Sequence, residues 1–241
     1  MRIFLAGATG VIGVPLVALL KEAGYEVTGT TRSAAKADQL KAAGVVPVVV
    51  DVFDAKALTD AVVAARPQIV IHQLTDLPDV IDPATIADVL SRNSRLRIEG
   101  TANLIVGARA AGAKRLIAQS IAFAYAPGPE PHRETDPIAS PEGDAPGAVS
   151  ARGVRALEDA VLNAPGLEGI VLRYGRLYGA GTWNTPNARA PLHVDAAAQA
   201  AVLAIGHGVA GIYNIAEDDG AVTPDKARRE LGFDPAFRRA V

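Results

Sequence analysis

Short apolar runs of strand length alternate along the chain with longer segments in which apolar residues recur at helical spacing. The apolar runs predict strands at 2–6, 26–31, 45–50, 68–72, 114–119, 167–173 and 211–215. The helical segments predict helices at 11–23, 34–43, 55–65, 83–111, 154–162, 195–205 and 223–231. Alternation of strand and helix is typical of α/β proteins, in which right-handed crossovers produce a parallel sheet. The pattern therefore predicts a doubly wound parallel sheet.

Composition narrows the class of protein without naming a function. The chain has 241 residues, 49% hydrophobic and only 5% aromatic, so its apolar mass is aliphatic, as in a parallel sheet covered by helices. This length predicts one domain, 1–241, with a core at 1–175 and a small, reduced C-terminal substrate-binding part at about 176–241. The net charge of -2 gives no indication of a nucleic acid partner. No apolar run approaches membrane-spanning length, so we expect no membrane partner and a cytoplasmic protein.

A glycine-rich turn separates the first predicted strand from the first helix. Its GxxGxxG spacing permits a tight turn, lets a pyrophosphate approach the backbone, and lets the helix pack closely on the strand. Phosphate then meets free N–H groups at the positive end of the helix. The turn predicts a dinucleotide-binding Rossmann fold, and a glycine-rich turn without a ligand is the alternative. The residues expected at the pyrophosphate are Gly7, Thr9, Gly10, Val11, Ile12 and Gly13.

The end of the second strand indicates which dinucleotide is bound. NAD-binding folds usually place an acidic residue there to accept the ribose hydroxyls. Here 28–31 contains no acid, and Arg32 follows, whose guanidinium can pair with a 2′-phosphate. The sequence therefore favours NADP(H) over NAD(H), with a solvated Arg32 as the alternative. Asp51 and Val52 are expected near the adenine and Gln73 near a ribose, although Asp51 could instead cap the following turn.

Several segments together resemble the NAD-dependent epimerase/dehydratase family, an extended or atypical branch of the short-chain dehydrogenase/reductases. The segments are GATGVIG at 7–13, GTANL at 100–104, AAGAKR at 110–115, QS at 119–120 with Tyr125, LRYGRLYG at 172–179, HVD at 193–195 and ARRELG at 227–232. The likeness covers nearly the whole chain. It implies a Rossmann fold that binds a nicotinamide dinucleotide and a small-molecule substrate, and it makes a homodimer possible.

The chain departs from this family at the catalytic residues. The family's Tyr-x-x-x-Lys motif, aligned on Glu158, falls on Ser150 and Val154. In the family, the lysine lowers the pKa of the tyrosine, so that the phenol can exchange a proton with a carbonyl. An asparagine is usual three residues before Gly100, and Arg97 stands in its place. The usual proton-transfer pair is therefore missing.

Two hydroxyls near the end of the fifth strand remain as candidates for catalysis. Open α/β sheets bind ligands at the carboxyl edge of their strands, where Ser120 lies. We expect Ser120 to donate a hydrogen bond to a substrate carbonyl, with Tyr125 reaching the same pocket. The alternatives are a plain strand-end hydroxyl and a loop tyrosine that packs on the core.

Residues after the sixth strand are candidates for substrate binding. Tyr174, Arg176 and Tyr178 lie at the same edge, and Arg176 could hold an anion. Trp183 and Asn184 could form a lid. No cluster of residues has metal-ligand spacing, so no metal is expected.

These features lead first to an NADP(H)-dependent oxidoreductase that transfers hydride to or from a small carbonyl or hydroxyl compound. Because the Tyr/Lys pair is missing, a non-catalytic NADP(H)-binding regulator or partner-binding module is the alternative. A sugar-nucleotide epimerase or dehydratase is a third possibility, but such chemistry usually needs that pair and a larger substrate lobe.

Overall fold

The computed structural model describes residues 1–78, 82–182 and 184–239. Its strands are β1 (Arg2–Ala6), β2 (Glu26–Thr31), β3 (Val46–Val49), β4 (Ile69–His72), β5 (Arg115–Ile121), β6 (Glu168–Tyr174), β7 (Arg176–Tyr178), β8 (Pro191–His193) and β9 (Gly211–Ile215). Its α-helices are α1 (Gly13–Glu22), α2 (Ala34–Ala42), α3 (Ala55–Ala65), α4 (Ile86–Arg95), α5 (Thr101–Ala110), α6 (Pro146–Leu162), α7 (Val194–Gly206) and α8 (Asp225–Leu231).

The main sheet has seven parallel strands in the order β3-β2-β1-β4-β5-β6-β9. The strand order reverses between β1 and β4, which is where folds of this kind open a crevice for a ligand. The short strands β7 and β8 pair with each other, from Arg176 opposite Pro191 to Tyr178 opposite His193. This architecture confirms the predicted doubly wound parallel sheet of the Rossmann type.

Two apolar clusters cover the two faces of the sheet. One contains Ile3 and Leu5 of β1 together with Leu16 of α1 and the alanine-rich face of α7. The other contains Phe4 of β1 with side chains from α3, α5 and α6. Successive side chains of a strand point to opposite faces, so β1 contributes to both clusters and is apolar from Ile3 to Ala6.

Several predicted bounds differ from those in the structure. The predicted helix at 83–111 is a 3₁₀ turn at Pro83–Thr85, then α4, a π-turn at Leu96–Gly100 and α5. The helix expected from Val154 begins eight residues earlier, at Pro146, because a proline fits the first turn, where its missing N–H does no harm. The pairing of β7 with β8 was not predicted, since strands of three residues carry too little periodicity.

Candidate functional site

The glycine turn between β1 and α1 is pressed against the end of β4. Gly7 has a φ of 90°, and a Cβ added there would lie 2.8 Å from the Gln73 carbonyl carbon and oxygen. A Cβ on Gly13 would lie 2.1 Å from the Gly7 carbonyl oxygen. Gly10, in contrast, is exposed, and a Cβ there would meet only the Gly7 carbonyl oxygen, at 3.5 Å. The turn is therefore closed toward the protein and open at Gly10.

The N-terminus of α1 is available to a ligand. Among the described residues no side chain caps this helix, whose N-cap position is Ile12. Threonines of β2 support the turn from the side: the Gly7 N–H donates to Thr30 Oγ1 at 3.1 Å, and the Thr9 hydroxyl donates to Thr31 Oγ1 at 3.4 Å. Helix N–H groups that meet no side chain are suited to a phosphate.

The buried amide of Gln73 points to a missing partner beside this turn. Its Nε2 donates to the Tyr174 hydroxyl at 3.1 Å, but its Oε1 is buried without a hydrogen-bond partner within the described ranges of the chain. A buried acceptor left unpaired is costly, and a ribose hydroxyl is a donor that would satisfy it. The open glycine, the uncapped helix and this unpaired acceptor are compatible with a dinucleotide in the crevice.

The other predicted cofactor residues lie at the ends of β2 and β3. Arg32 follows β2, and its Nη2 lies 3.3 Å from Asp76 Oδ1. Asp51 Oδ1 accepts the Phe53 N–H at 2.9 Å, which is the turn-capping role weighed as an alternative. Val52 is buried, and its side chain would meet a Cβ on Gly100 at 3.3 Å.

Ser120 belongs to a buried polar network rather than to an open pocket. Its hydroxyl donates to Glu158 Oε1 at 2.7 Å, and Glu158 accepts from Arg173 at 2.6 and 2.9 Å. Burial opposes the charge on Arg173, but the Glu158 carboxylate outweighs it and raises the pKa of Arg173. In this arrangement the Ser120 hydroxyl positions a carboxylate and is not available to a substrate carbonyl.

Tyr125 is tied to the same network while its ring reaches the surface. Its hydroxyl donates to Asn214 Oδ1 at 2.6 Å and accepts from Arg173 Nη1 at 2.9 Å. Burial raises the pKa of Tyr125, although Arg173 acts in the opposite direction. The ring stacks on His132, with centroids 4.9 Å apart. A phenol held in this way is a poor proton donor at neutral pH.

The positions of the missing catalytic pair lie on α6. Ser150 accepts a hydrogen bond from Arg97 Nη1 at 3.4 Å, and Val154 is fully buried. Arg97 projects inward from the π-turn, and burial lowers its pKa to about 10, so it stays charged at neutral pH. The sequence marked Arg97 only as a departure from the family. The structure brings its guanidinium to the vacated tyrosine position.

A pocket of about 310 Å³ opens between the loop after β5 and the β7–β8 pair. Arg176 and Phe123 form one wall, with the guanidinium carbon 4.3 Å above the centre of the ring. Arg189 lines another wall and pairs with Glu130. The complete lining is Ala122, Phe123, Tyr125, Ala126, Pro127, Gly128, Glu130, His132, Arg176, Arg189, Ala190, Ala221 and Val222.

The structure separates the three predicted substrate residues. Arg176 lines the pocket, whereas Tyr174 is buried in the core, where burial raises its pKa, and its hydroxyl meets Gln73. The Tyr178 hydroxyl donates to Glu217 at 2.8 Å and accepts from Arg238 at 2.6 Å, away from the pocket. Trp183, expected in a lid, lies outside the described residues.

Within residues 1–78, 82–182 and 184–239, no three histidine, aspartate or glutamate side chains are grouped so that they could hold a metal ion. No helix in the described part of the chain is long and apolar enough to cross a membrane.

Comparisons with known proteins give a curated relative and structures of similar fold. A Streptomyces protein named 3-diazoavenalumate denitrifying reductase is 40% identical over 242 aligned positions, which cover 92% of this chain and 77% of the relative. The crystal structure of UDP-glucose 4-epimerase from Thermus thermophilus in complex with NAD has a TM-score of 0.79 at 21% identity, covering 99% of this chain and 95% of that chain. UDP-glucose 4-epimerase from Thermotoga maritima, solved with UDP-glucose, has a TM-score of 0.77 at 19% identity, covering 99% and 94%.

Both structural likenesses concern the fold alone. At the level of sequence, residues 3–208 match the family described as the NAD dependent epimerase/dehydratase family. The match includes the glycine turn, the end of β4 and the helix that carries Ser150 and Val154. The chain belongs to the NAD dependent epimerase/dehydratase family.

Proposed function

We propose that this chain is an NADPH-dependent reductase of a small acid, and that its substrate accepts hydride at a carbon that needs no proton from the protein. The observation that carries the proposal is the loss of the proton-donating pair: Ser150 and Val154 stand where the family has tyrosine and lysine. An aliphatic hydroxyl and an isopropyl group cannot act as a general acid near neutral pH. Arg97, beside Ser150, keeps its own proton.

The cofactor assignment rests on residues at the crevice. The glycine turn and the uncapped α1 would hold the pyrophosphate, and Gln73 Oε1 would accept from a ribose hydroxyl. Arg32 favours the 2′-phosphate of NADP(H), since no acidic residue is present in 28–31. Bound NADPH would supply a hydride, which is chemistry of the nicotinamide and not of the protein.

The substrate class follows from the pocket beside Phe123. Arg176 stacks on that ring and presents a cation to the pocket, an arrangement that suits a carboxylate attached to a flat apolar body. The volume of about 310 Å³ is at the small end of ligand sites. A small aromatic or conjugated acid fits these walls better than a nucleotide sugar does.

The hydride acceptor follows from the missing acid and from the 40% identical relative, whose name denotes removal of nitrogen from a diazo compound. A ketone or aldehyde that accepts hydride becomes an alkoxide and needs a proton. A diazonium carbon that accepts hydride forms a C–H bond, and the electron pair of the broken C–N bond leaves with N₂. The balance is R–N₂⁺ plus NADPH giving R–H, N₂ and NADP⁺, with no proton required.

Calorimetric titration tests the cofactor. We expect NADP(H) to bind more tightly than NAD(H), and Arg32→Ala to weaken NADP(H) about fivefold to tenfold while leaving NAD(H) nearly unchanged. This magnitude corresponds to a charge-assisted contact, of about 1.5–3 kcal/mol when buried, reduced by solvent exposure. Arg109→Ala, an exposed arginine on α5, is the matched control. Failure of both nucleotides to bind would refute the proposal.

Two probes of the same shape test the reaction. With NADPH we expect 4-carboxybenzenediazonium to give benzoate and N₂, with one NADPH consumed per benzoate, after subtraction of the rate without enzyme. We expect 4-carboxybenzaldehyde to react at least about 100-fold more slowly, since a general acid contributes about 10²–10⁴-fold. Arg176→Met should raise KM for the diazonium about tenfold with little change in kcat, and Arg109→Met should change neither.

The outcomes of this assay separate the candidate functions. Equal turnover of the aldehyde would make the chain a carbonyl reductase with an acid that we have not recognised. Nucleotide binding without turnover of either probe would favour the regulator.

A further inference from the structure

Three charged residues form a cluster across the crevice that the fold leaves above β1. Asp76 accepts from Arg32 through Oδ1 and from Arg92 through Oδ2, each at 3.3 Å. Arg32 follows β2 and Asp76 follows β4, and β1 lies between those strands in the sheet. The contact between Arg32 and Asp76 therefore passes over the end of β1, where the glycine turn begins.

Asp76 is the fixed member of this cluster. Its side chain is 23% exposed, while Arg32 and Arg92 are 65% and 55% exposed. Its backbone N–H donates at 3.0 Å to Oδ1 of Asn93, which is itself buried on α4. The carboxylate is thus held in place, and the two guanidinium groups reach it from opposite elements, the end of β2 and α4.

The hydrogen bonds between the Asp76 carboxylate and the two arginines are longer than is usual for charged groups. Charge-assisted N–H···O bonds are normally about 2.7–2.9 Å long, and arginine prefers to bind both oxygens of a carboxylate or phosphate at once. Here each arginine reaches one oxygen at 3.3 Å. Two positive charges face one negative charge, so the cluster retains a net positive charge. A phosphate monoester, with up to two negative charges and three oxygens, is a better partner for both arginines.

We propose that Arg32 and Arg92 together bind the 2′-phosphate of NADP(H), and that Asp76 is the specificity-determining residue that this phosphate must displace. The inference rests on the proposed function and deepens it. NAD(H) carries no group that can replace the carboxylate, so it leaves Asp76 paired with both arginines. Asp76 weakens NADP(H) binding through repulsion of the phosphate, and Arg92 strengthens it as a second cation from α4.

Calorimetric titration with NADP⁺, NAD⁺, 2′,5′-ADP and 5′-AMP tests this assignment without any substrate. We expect Asp76→Asn to tighten NADP⁺ and 2′,5′-ADP about threefold to fivefold, and Arg92→Ala to weaken both by a similar factor. These factors are those of a partly exposed ion pair, about 0.2–1 kcal/mol. NAD⁺ and 5′-AMP should change less than about twofold. Arg109→Ala controls for the loss of a positive charge elsewhere, and circular dichroism checks that each variant is folded.

The result that overturns this inference is distinct from the failure of the cofactor assignment. If NADP⁺ preference depends on Arg32 while Asp76→Asn and Arg92→Ala leave it unchanged, the 2′-phosphate site consists of Arg32 alone and the inference is wrong. If NADP⁺ is bound no more tightly than NAD⁺ by the wild-type protein, the cofactor assignment and this inference both fall.

Discussion

Removing the charge of Glu158 tests whether the buried ion pair behind the site stabilises the fold. Glu158 and Arg173 side chains are only 6% and 4% exposed, and three hydrogen bonds of 2.6–2.9 Å converge on the carboxylate. Glu158→Gln keeps the size of the side chain but turns an N–H₂ group toward the guanidinium or toward Ser120. The Arg173 cation is then buried without its counter-ion.

The expected loss in free energy of unfolding is about 3 kcal/mol, the lower end of the 3–5 kcal/mol typical for breaking a buried pair. The lower end applies because Arg173 keeps hydrogen bonds to the Tyr125 hydroxyl and the Glu134 carbonyl. For a chain of this size the loss corresponds to a decrease in Tm of about 6–12 °C. Urea unfolding followed by circular dichroism measures it directly.

The matched control is Glu168→Gln, which removes a more exposed partner, 40% accessible, from a similar contact at 2.7 Å with Arg115. Arg115 retains hydrogen bonds to several carbonyls at the C-terminal end of α7, so the control should lose about 1 kcal/mol or less. Equal losses of unfolding free energy in the two variants would refute the argument that burial makes the Glu158–Arg173 pair the more stabilising one.

Three further predictions concern the fold and the crevice. Burial, with the Arg97 charge, lowers the pKa of His72 to about 4, whereas in the unfolded chain its pKa is about 6.5. As the pH falls, the unfolded state therefore takes up a proton before the folded state does. The free energy of unfolding should decrease by about 3 kcal/mol between pH 6.5 and pH 4. In His72→Gln, unfolding measured over the same pH range should show a smaller decrease. Gly7→Ala should abolish nucleotide binding in calorimetry, because the added Cβ would lie 2.8 Å from the Gln73 carbonyl. Retained binding would mean that the turn can shift. Tyr125→Phe should lower the free energy of unfolding by about 1–2 kcal/mol, since the hydroxyl is hydrogen-bonded to Asn214 and Arg173. It should leave kcat for the diazonium probe within about twofold, and a large loss of kcat would identify the phenol as a general acid.

The fold could be predicted because its signals are local. Strand 26–31, helix 55–65 and strand 211–215 have the predicted bounds, since turn residues and caps such as Asp54 mark their ends. The glycine turn could be recognised from its spacing alone, although the close approach that requires a glycine at position 7 is to Gln73, just after β4, which is distant in sequence. The absence of the Tyr/Lys pair could also be recognised from the sequence, because it depends only on residue identity.

Side-chain direction and long-range pairing were decided only in three dimensions. Ser120 lies at a strand end, as expected, but whether its hydroxyl faces a pocket or Glu158 depends on how α6 packs on β5. Tyr174 and Arg176 are two residues apart, yet one is in the core and the other lines the pocket, because the chain leaves β6 between them and begins the β7–β8 pair.

The sequence by itself determined the doubly wound sheet, the glycine turn and the absence of the usual Tyr/Lys pair, because periodicity, glycines and residue identity are properties of short segments. Only the tertiary structure brought Asp76 between Arg32 and Arg92 and placed Arg97 beside Ser150. These contacts join residues 16 to 53 positions apart. Their formation depends on strand order and helix packing, which no short segment of the chain encodes.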